Sequence, residues 1–186
     1  MKTKTESTVM YVLRLALTLL AITAVVAAAL AGVNSITAPV IAQLNEAKTQ
    51  QAIETVLPGG YEEQLSDFDN QGGLVSKIYK GANGYALEVL PAGFDNTITM
   101  MVGVDFECKV LGISIVKHTE TAGLGAVAAA KTSAGEAFRG QFVGTTGSVA
   151  VAKDGGALDA ITGATITSRA VCSGVNAALA AVAAMG

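Results

Sequence analysis

The chain has 186 residues with twelve basic and fifteen acidic side chains, which gives a formal net charge of −3. This length allows one membrane segment and one globular domain of ordinary size. From residue 15 onward there are nine basic and fourteen acidic side chains, a formal charge of −5. Such an acidic domain has no basic face for nucleic acid, so no nucleic-acid partner is expected.

The first predicted element is a membrane anchor. Nineteen residues without a charge run from Leu15 to Val33, and as a helix they rise about 28 Å, which matches the hydrocarbon core of a bilayer. A cleavable signal peptide is the alternative, because the alanines near Ala29 and Ala31 suit a peptidase. The apolar core of a signal peptide is normally shorter, about 7 to 15 residues. The sequence therefore predicts a retained anchor in contact with membrane lipid.

The distribution of basic residues predicts the orientation of this anchor. Lys2, Lys4 and Arg14 precede it, and no Lys or Arg follows until Lys48. By the positive-inside rule the N-terminus is cytoplasmic and the folded domain lies outside the cell membrane, after a single pass. The predicted organisation is a cytoplasmic N-terminus and transmembrane anchor at 1–36, a connecting helix at 37–60, and an extracytoplasmic domain at 61–186.

The remainder of the chain mixes helices and strands. Apolar residues three and four apart predict a helix at 38–57, ended by Pro58 and Gly59. Short apolar segments between Gly, Asn and Asp then predict strands of an antiparallel sheet at 73–80, 85–90, 97–104 and 110–117. Helices are predicted at 126–138 and 169–184. The expected class is α+β, with a C-terminal helix, and the chain has no Gly-rich or Walker motif for NAD or ATP.

The metal-ligating residue types are few. Cys108 and Cys172 are too few and too far apart for an iron–sulfur or zinc site, which needs about four ligands. They are either a disulfide in an oxidising outer compartment or buried free thiols. His118 is the only histidine, and one imidazole makes neither a metal site nor a catalytic triad. No metal site and no catalytic residue is predicted.

The segment just before the C-terminal helix has the composition of an anion site. It reads Asp159-Ala160-Ile161-Thr162-Gly163-Ala164-Thr165-Ile166-Thr167-Ser168. Unpaired N–H groups and the positive end of the helix dipole stabilise an anion there, and Gly163 and Ala164 add little bulk. The alternative is that Thr165, Thr167 or Ser168 is only an N-cap, which contributes about 1 kcal/mol. Helix-start chemistry alone favours the N-cap.

This segment fills every fixed position of the motif Asp-x-x-(Ser/Thr)-Gly-Ala-(Thr/Ser)-x-Thr. It resembles the FMN-binding domain family, whose members carry FMN through a phosphoester to threonine. Within that family it is most similar to the G subunits of the Rnf electron-transport complex, which are related to the C subunits of the sodium-pumping NADH:quinone reductase. The resemblance implies that Thr167 carries the flavin and that Thr162 and Thr165 line its phosphate. The implied site also includes Asp159, Gly163, Ala164, Ile166 and Ser168, of which Asp159 either positions the loop or caps it.

Two further stretches resemble the same family. Residues 118–125 resemble its His-x-Glu-Thr-Pro-Gly-Leu-Gly loop near the flavin, with Ala122 in place of the usual proline, which makes the loop less stiff in the unfolded chain. The segments 84–86, 93–94 and 101–105 resemble the strands ahead of this loop, so the matches span about residues 84 to 179. The implied flavin contacts are Glu120, Thr121, Leu124 and Gly125. His118 beside them either orients one of these contacts, biases the protonation of the flavin, or is structural.

The resemblance implies an electron-carrying flavoprotein subunit of a membrane-bound Rnf-type complex. Such a complex moves electrons between ferredoxin and NAD and couples them to Na⁺ or H⁺ translocation, with the other sites on partner subunits and no substrate turned over on this chain. Because an unactivated hydroxyl is a weak nucleophile, a flavin transferase that uses FAD and Mg²⁺ is expected to attach the FMN. The alternatives are a quinone-reductase C-type subunit, a free-standing extracytoplasmic flavin carrier, or a cofactor-free anchored structural protein.

Overall fold

The computed structural model describes residues 2–65 and 73–185. The chain divides into two compact units, Met1–Glu46 and Ala47–Gly186. Helices and strands are mixed, which confirms the predicted α+β class. The helices are α1 (Lys2–Val56), α2 (Ser133–Gly140) and α3 (Thr165–Met185); the strands are β1 (Glu63–Leu65), β2 (Val75–Gly81), β3 (Gly84–Val89), β4 (Thr99–Val104) and β5 (Val110–Lys117).

The part of α1 in the first unit presents an apolar surface. Its large apolar side chains between Val9 and Leu44 are exposed, and no charged residue lies between Arg14 and Glu46. The hydroxyls of Thr18 and other Ser and Thr residues donate to backbone carbonyls three or four residues earlier, so they need no water. This surface is suited to lipid and indicates membrane association.

Two helices in the described part of the chain are long and apolar enough to cross a bilayer, α1 over Thr8–Val56 and the whole of α3. They differ in burial. None of the most apolar stretch of α1 is buried, whereas 56% of the most apolar stretch of α3 is buried. α3 is therefore the core helix of the second unit. The predicted anchor and connecting helix belong to one continuous helix, and the predicted domain boundaries near residues 36 and 60 stay predictions.

The described strands form one antiparallel sheet in the order β1-β2-β3-β4-β5. The four predicted strands are present, and each begins and ends within two residues of the predicted limits. β1 was not predicted, because its three residues include only one apolar side chain, Leu65. Each strand of this sheet follows its neighbour in sequence, so short connections suffice.

Alternating residues of the strands face two separate hydrophobic cores. On one face, Ile78, Leu87 and Val102 are buried with apolar residues of α3. On the other face, Tyr79, Ala86 and Met101 are buried with the last turns of α1. The buried residues from this end of α1 are Ala52, Ile53, Val56 and Leu57. The C-terminal end of α1 therefore belongs to the sheet domain.

The predicted single helix at 126–138 is wrong. A 3₁₀ turn, Gly125–Ala129, ends at the extended residue Ala130 (φ −66°, ψ 141°), and α2 begins separately. The Thr132 hydroxyl accepts from the Gly135 N–H at 3.3 Å and caps α2. The Arg139 Nη1 donates to the carbonyls of Ala128 and Ala130 at 2.6 and 3.0 Å. These side chains satisfy backbone groups that a continuous helix would pair internally, and the alanine-rich pattern did not reveal them.

α3 begins four residues earlier than predicted, at Thr165 rather than Arg169. Thr165 to Ser168 thus form its first turn, and the residue before the helix is Ala164. None of the three candidate hydroxyls is the N-cap. The Thr167 hydroxyl donates to Glu120, the Ser168 hydroxyl donates to the Ala164 carbonyl, and Thr165 accepts from Lys153. The N-cap interpretation is therefore wrong.

Candidate functional site

A cavity of about 290 Å³ lies beside the first turn of α3. Its volume is near the lower end of the range for ligand pockets, roughly 300 to 1,000 Å³. It brings together the loop around Glu120 and the segment around Thr167, the two stretches that the sequence singled out. The lining residues are Phe94, Glu120, Thr121, Leu124, Gly125, Lys153, Gly163, Ala164, Thr165, Ile166 and Thr167.

Thr167 lies in the wall of this cavity and is otherwise enclosed. It is 2% exposed, and its Oγ1 donates a hydrogen bond to Oε2 of Glu120 at 2.5 Å. The two residues are 47 positions apart in the chain, so only the fold brings them together. A buried hydroxyl that contacts a carboxylate is thus the most enclosed polar group of the cavity.

Glu120 is held in a narrow slot and is 7% exposed. Its Oε1 accepts from the Phe94 N–H at 2.9 Å, while its Oε2 accepts from Thr167. A Cβ on Gly93 would collide with Oε1, and a Cβ on Gly125 would collide with Oε2. The two glycines therefore allow the carboxylate to lie between them, and the two hydrogen bonds fix both of its oxygens.

A tight turn leads from the motif into α3. Gly163 has φ +76°, a conformation that favours glycine, and the Ala164 N–H donates to the Ile161 carbonyl at 2.9 Å. Ser168 holds this turn from inside, because its fully buried hydroxyl accepts from the Ile161 N–H and donates to the Ala164 carbonyl, both at 3.0 Å. The turn places the N-terminus of α3 at the cavity, where backbone N–H groups and the helix dipole favour an anion.

Lys153 is a site residue that the sequence reasoning missed. Its Nζ donates to Oγ1 of Thr165 at 3.4 Å, and it lines the cavity. It lies in a 3₁₀ turn, Ala152–Asp154, and it is the one basic residue between Arg139 and Arg169. A lone cation six residues before the start of the motif at Asp159 was the available signal. Lys153 gives the cavity a positive charge beside the helix N-terminus.

The rim of the cavity is apolar and open to solvent. Phe94, Leu124 and Ile166 are 66%, 44% and 49% exposed. Large exposed apolar side chains around a polar cavity mark a binding site for a group with an apolar part. Phe94 was matched to the family pattern in the sequence but was not expected to be a contact.

The remaining predicted residues lie elsewhere. Asp159 and Thr162 line a neighbouring depression, and the Asp159 N–H donates to Oε1 of Gln141 at 2.7 Å. His118 is half-buried and is not part of the cavity lining. Its Nδ1 is the one buried side-chain nitrogen or oxygen in the described residues without a hydrogen-bond partner. The structure therefore groups Thr165 with Thr167 and separates Thr162 from both.

The cysteines are free thiols in this structure. Cys108 is half-buried in the turn between β4 and β5, where it adopts a positive φ of 59°. Cys172 is buried in α3, and this burial raises the pKa of its thiol to about 11. Among the described residues, no three His, Cys, Asp or Glu side chains are placed to hold a metal ion.

The cavity has the features that a nucleotide-like flavin requires. Lys153 and the α3 N-terminus suit a phosphate, and the exposed apolar rim suits a planar ring. The close approach of Gly125 to Thr167 and Glu120 leaves the threonine hydroxyl facing the cavity without intervening bulk. The residues present therefore fit FMN.

Comparison with known proteins supports this fit. Residues 93–180 match the FMN-binding domain family. The chain is 31% identical to the G subunit of an ion-translocating oxidoreductase complex from Methanosarcina acetivorans, over 87% of this chain and 89% of the relative. It is 32% identical to the G subunit of the Na⁺-translocating ferredoxin:NAD⁺ oxidoreductase complex from Acetobacterium woodii, over 89% of this chain and 88% of the relative. The G subunit of an ion-translocating oxidoreductase complex from Yersinia pestis is 46% identical over 48% of this chain and 44% of the relative.

The first two of these relatives share most of their length with the chain. The residues that match the FMN-binding domain family include the whole lining of the cavity, from Phe94 to Thr167. The family match and the relatives thus agree on one assignment. The chain belongs to the family of G subunits of ion-translocating oxidoreductase complexes, and it is an FMN-binding, electron-transfer flavoprotein subunit of such a complex.

Proposed function

We propose that the FMN is covalently attached, through a phosphoester between its phosphate and Oγ1 of Thr167. The observation that carries this proposal is the position of the Thr167 hydroxyl, which faces a cavity that also contains Lys153 and the N-terminus of α3. A phosphodiester keeps one negative charge, and both the helix dipole and a Lys ammonium stabilise it. Thr165 bonds to Lys153 and lines the same cavity, so its hydroxyl is a further donor to this phosphate.

The rim residues orient the ring of the flavin. Phe94, Leu124 and Ile166 offer exposed apolar surface next to the phosphate site, and an isoalloxazine ring buries apolar area by packing on it. Thr121 adds a hydroxyl at the same edge. Bound FMN exchanges either one or two electrons, and the protein fixes its position and its exposure to partners.

In the cell, the chain is proposed to relay electrons within an Rnf-type complex that couples ferredoxin and NAD to Na⁺ or H⁺ translocation. The name of the Acetobacterium woodii relative specifies ferredoxin, NAD⁺ and Na⁺, which supports this role over that of a quinone-reductase C-type subunit. The ferredoxin and NAD sites and the ion path lie on other subunits. A flavin transferase matures the chain, because Thr167 must receive its flavin from a donor.

The chain is proposed to cross the cell membrane once, with its N-terminus in the cytoplasm, its apolar helix in lipid and its FMN domain outside. The bases for this are Lys2, Lys4 and Arg14 ahead of the apolar helix and the absence of a further basic residue until Lys48. Protease treatment of sealed vesicles of known orientation tests it. The domain from Ala47 onward is expected to be digested only from the outer side.

Intact mass after co-expression with a flavin transferase tests the covalent link. The denatured protein should gain the mass of FMN less one water, and the flavin should map to the peptide that contains Thr167. The Thr167→Ala variant should lose the covalent flavin and stay folded, whereas Thr165→Ala should keep it. Flavin retained by the denatured Thr167→Ala variant would place the link at another hydroxyl and contradict the proposal.

A further inference from the structure

We infer that Glu120 is the base that accepts the proton of the Thr167 hydroxyl when the flavin is attached. This inference rests on the proposed covalent link at Thr167. It assigns part of the chemistry of flavin transfer to the acceptor protein itself, in addition to the transferase. The observation behind it is the direct hydrogen bond between Oγ1 of Thr167 and Oε2 of Glu120.

Both oxygens of the Glu120 carboxyl group accept a hydrogen bond. The Phe94 N–H can only donate, so Oε1 of Glu120 is an acceptor. At Oε2 of Glu120 the donor is the Thr167 hydroxyl. Its proton therefore already points at the group that is to receive it. The 2.5 Å contact lies just below the usual heavy-atom distance for a general base, about 2.6 to 3.2 Å.

The carboxylate has no cation to neutralise it. Within the described residues the one ion pair joins Arg169 and Asp154, and Lys153 bonds to Thr165 rather than to Glu120. A Glu that only stabilises a fold is usually exposed or paired with a basic residue. Glu120 is instead 7% exposed, and one of its two oxygens contacts a hydroxyl at a cavity wall. Such a group is placed to accept the proton of that hydroxyl.

The slot between two glycines keeps the carboxylate in this position. Side chains at Gly93 or Gly125 would overlap its oxygens, and the Phe94 N–H anchors the oxygen that does not contact Thr167. The base is thus oriented by backbone groups before any flavin donor arrives. A pre-oriented base lowers the barrier for a weak nucleophile such as a threonine hydroxyl.

The reaction balances with a flavin dinucleotide as the co-reactant. Oγ1 of Thr167 forms a bond to the phosphorus of the FMN half, and the phosphoanhydride bond from that phosphorus to the AMP half breaks. AMP leaves, and the Thr167 proton passes to Glu120 and then to water. No atom is oxidised or reduced. Lys153 and the N-terminus of α3 lie on the side of Thr165, where the phosphate charge is left after the transfer.

The test measures single-turnover flavin transfer to the full chain, with purified transferase, Mg²⁺ and FAD. The readout is flavin bound to denatured protein, together with released AMP. General-base assistance contributes about 10²- to 10⁴-fold, so Glu120→Gln should slow the transfer by about that factor. The matched control is Glu136→Gln, an exposed glutamate outside the cavity, which should leave the rate unchanged.

Two further variants separate a base from a structural support. Formate should restore part of the rate in Glu120→Ala, because it supplies a carboxylate to the vacated slot, while it should leave the wild-type rate unchanged. Glu120→Asp should keep a measurable rate and the same dependence on pH as wild type. Circular dichroism establishes which variants fold. If Glu120→Gln does not fold, the formate and Glu120→Asp results decide whether Glu120 acts as the base.

The outcomes of the two proposals are distinct. A wild-type chain that gains no flavin from an active transferase would contradict the covalent link itself. A wild-type chain that gains flavin while folded Glu120→Gln gains it at the same rate would overturn only the role of Glu120. A folded Glu120→Ala variant that is slow and that formate does not accelerate would also overturn the role of Glu120 as the base. The loss of transfer rate would then come from lost positioning of Thr167.

Discussion

Asp154 accepts hydrogen bonds from two nitrogens of the Arg169 guanidinium, at 2.6 Å from Nη2 and 2.7 Å from Nε. The pair joins the turn that carries Lys153 to the first turns of α3. Lys153 is the residue just before Asp154, and its Nζ lies 3.4 Å from Oγ1 of Thr165. An exposed ion pair adds little to stability, but this one links the turn that carries Lys153 to the helix that carries Thr165.

Replacement of Lys153 by alanine should reduce covalent flavin incorporation. A hydrogen bond to a charged group contributes about 1.5–3 kcal/mol, so a loss of roughly tenfold or more in the rate of transfer is expected. Flavin fluorescence of denatured protein at limiting transferase measures this rate. Lys131→Ala removes an exposed lysine outside the cavity and is the control. Equal rates for the two variants would remove Lys153 from the phosphate site.

Replacement of Gly125 by alanine should prevent the arrangement of Glu120 and Thr167. The new Cβ would lie 2.5 Å from Oγ1 of Thr167 and would also overlap Glu120. Overpacking of this kind costs about 1–3 kcal/mol, so both the urea midpoint and flavin incorporation should fall. Gly140→Ala has no neighbouring atom within 4 Å of its Cβ and should change neither. A fully flavinylated Gly125→Ala variant would show that the slot is not needed.

The Asp154 and Arg169 pair should make stability depend on acid pH. The Arg169 guanidinium holds the pKa of Asp154 below its ordinary value of 3.8. The unfolded chain then binds more protons in this range, so the contribution of the pair is present above pH 3.8 and is lost as pH falls through the lower folded-state pKa. Urea unfolding of wild type and Asp154→Asn at several pH values measures it. The difference between them should shrink below pH 3.8.

Cys172 should resist alkylation in the native protein. Burial raises the pKa of its thiol from 9.0 to about 11, and the thiolate is the reactive form. Iodoacetamide at neutral pH should therefore leave the Cys172 peptide unmodified until the protein is denatured, as mass spectrometry of digests can show. The raised pKa also means that stability is lost as pH rises from about 9 to about 11, because the unfolded chain releases its proton first. Cys172→Ser should weaken this alkaline decline.

The sheet was predictable because its strands carry the signal within themselves. In β2, β3 and β4, apolar segments of suitable length stand between turn residues, and each was located from local pattern alone. The break between Gly125–Ala129 and α2 was not predictable in this way. It depends on hydrogen bonds from Arg139 to the carbonyls of Ala128 and Ala130. The spacing of apolar residues in the sequence does not indicate such contacts between a side chain and the backbone.

The site was predictable only in part, for a related reason. The Gly163-Ala164 pair and its threonines are adjacent in sequence, so their role at a helix start could be argued from local chemistry. Glu120 and Thr167 are far apart in the chain, and resemblance to a family rather than pattern put them near one flavin. Lys153 matches no motif, and only the fold brings it next to Thr165, twelve residues later in the chain.

The last turns of α1 have a consequence for the order of events during synthesis. Ile53, Val56 and Leu57 leave the ribosome before any strand, yet their buried partners include Met101 of β4 and the nearby Leu111 of β5. Until those strands exist, the apolar residues at this end of the helix have nothing to cover them. The sheet domain therefore cannot close around its first-made segment until most of its strands are complete, and this apolar segment stays uncovered during synthesis.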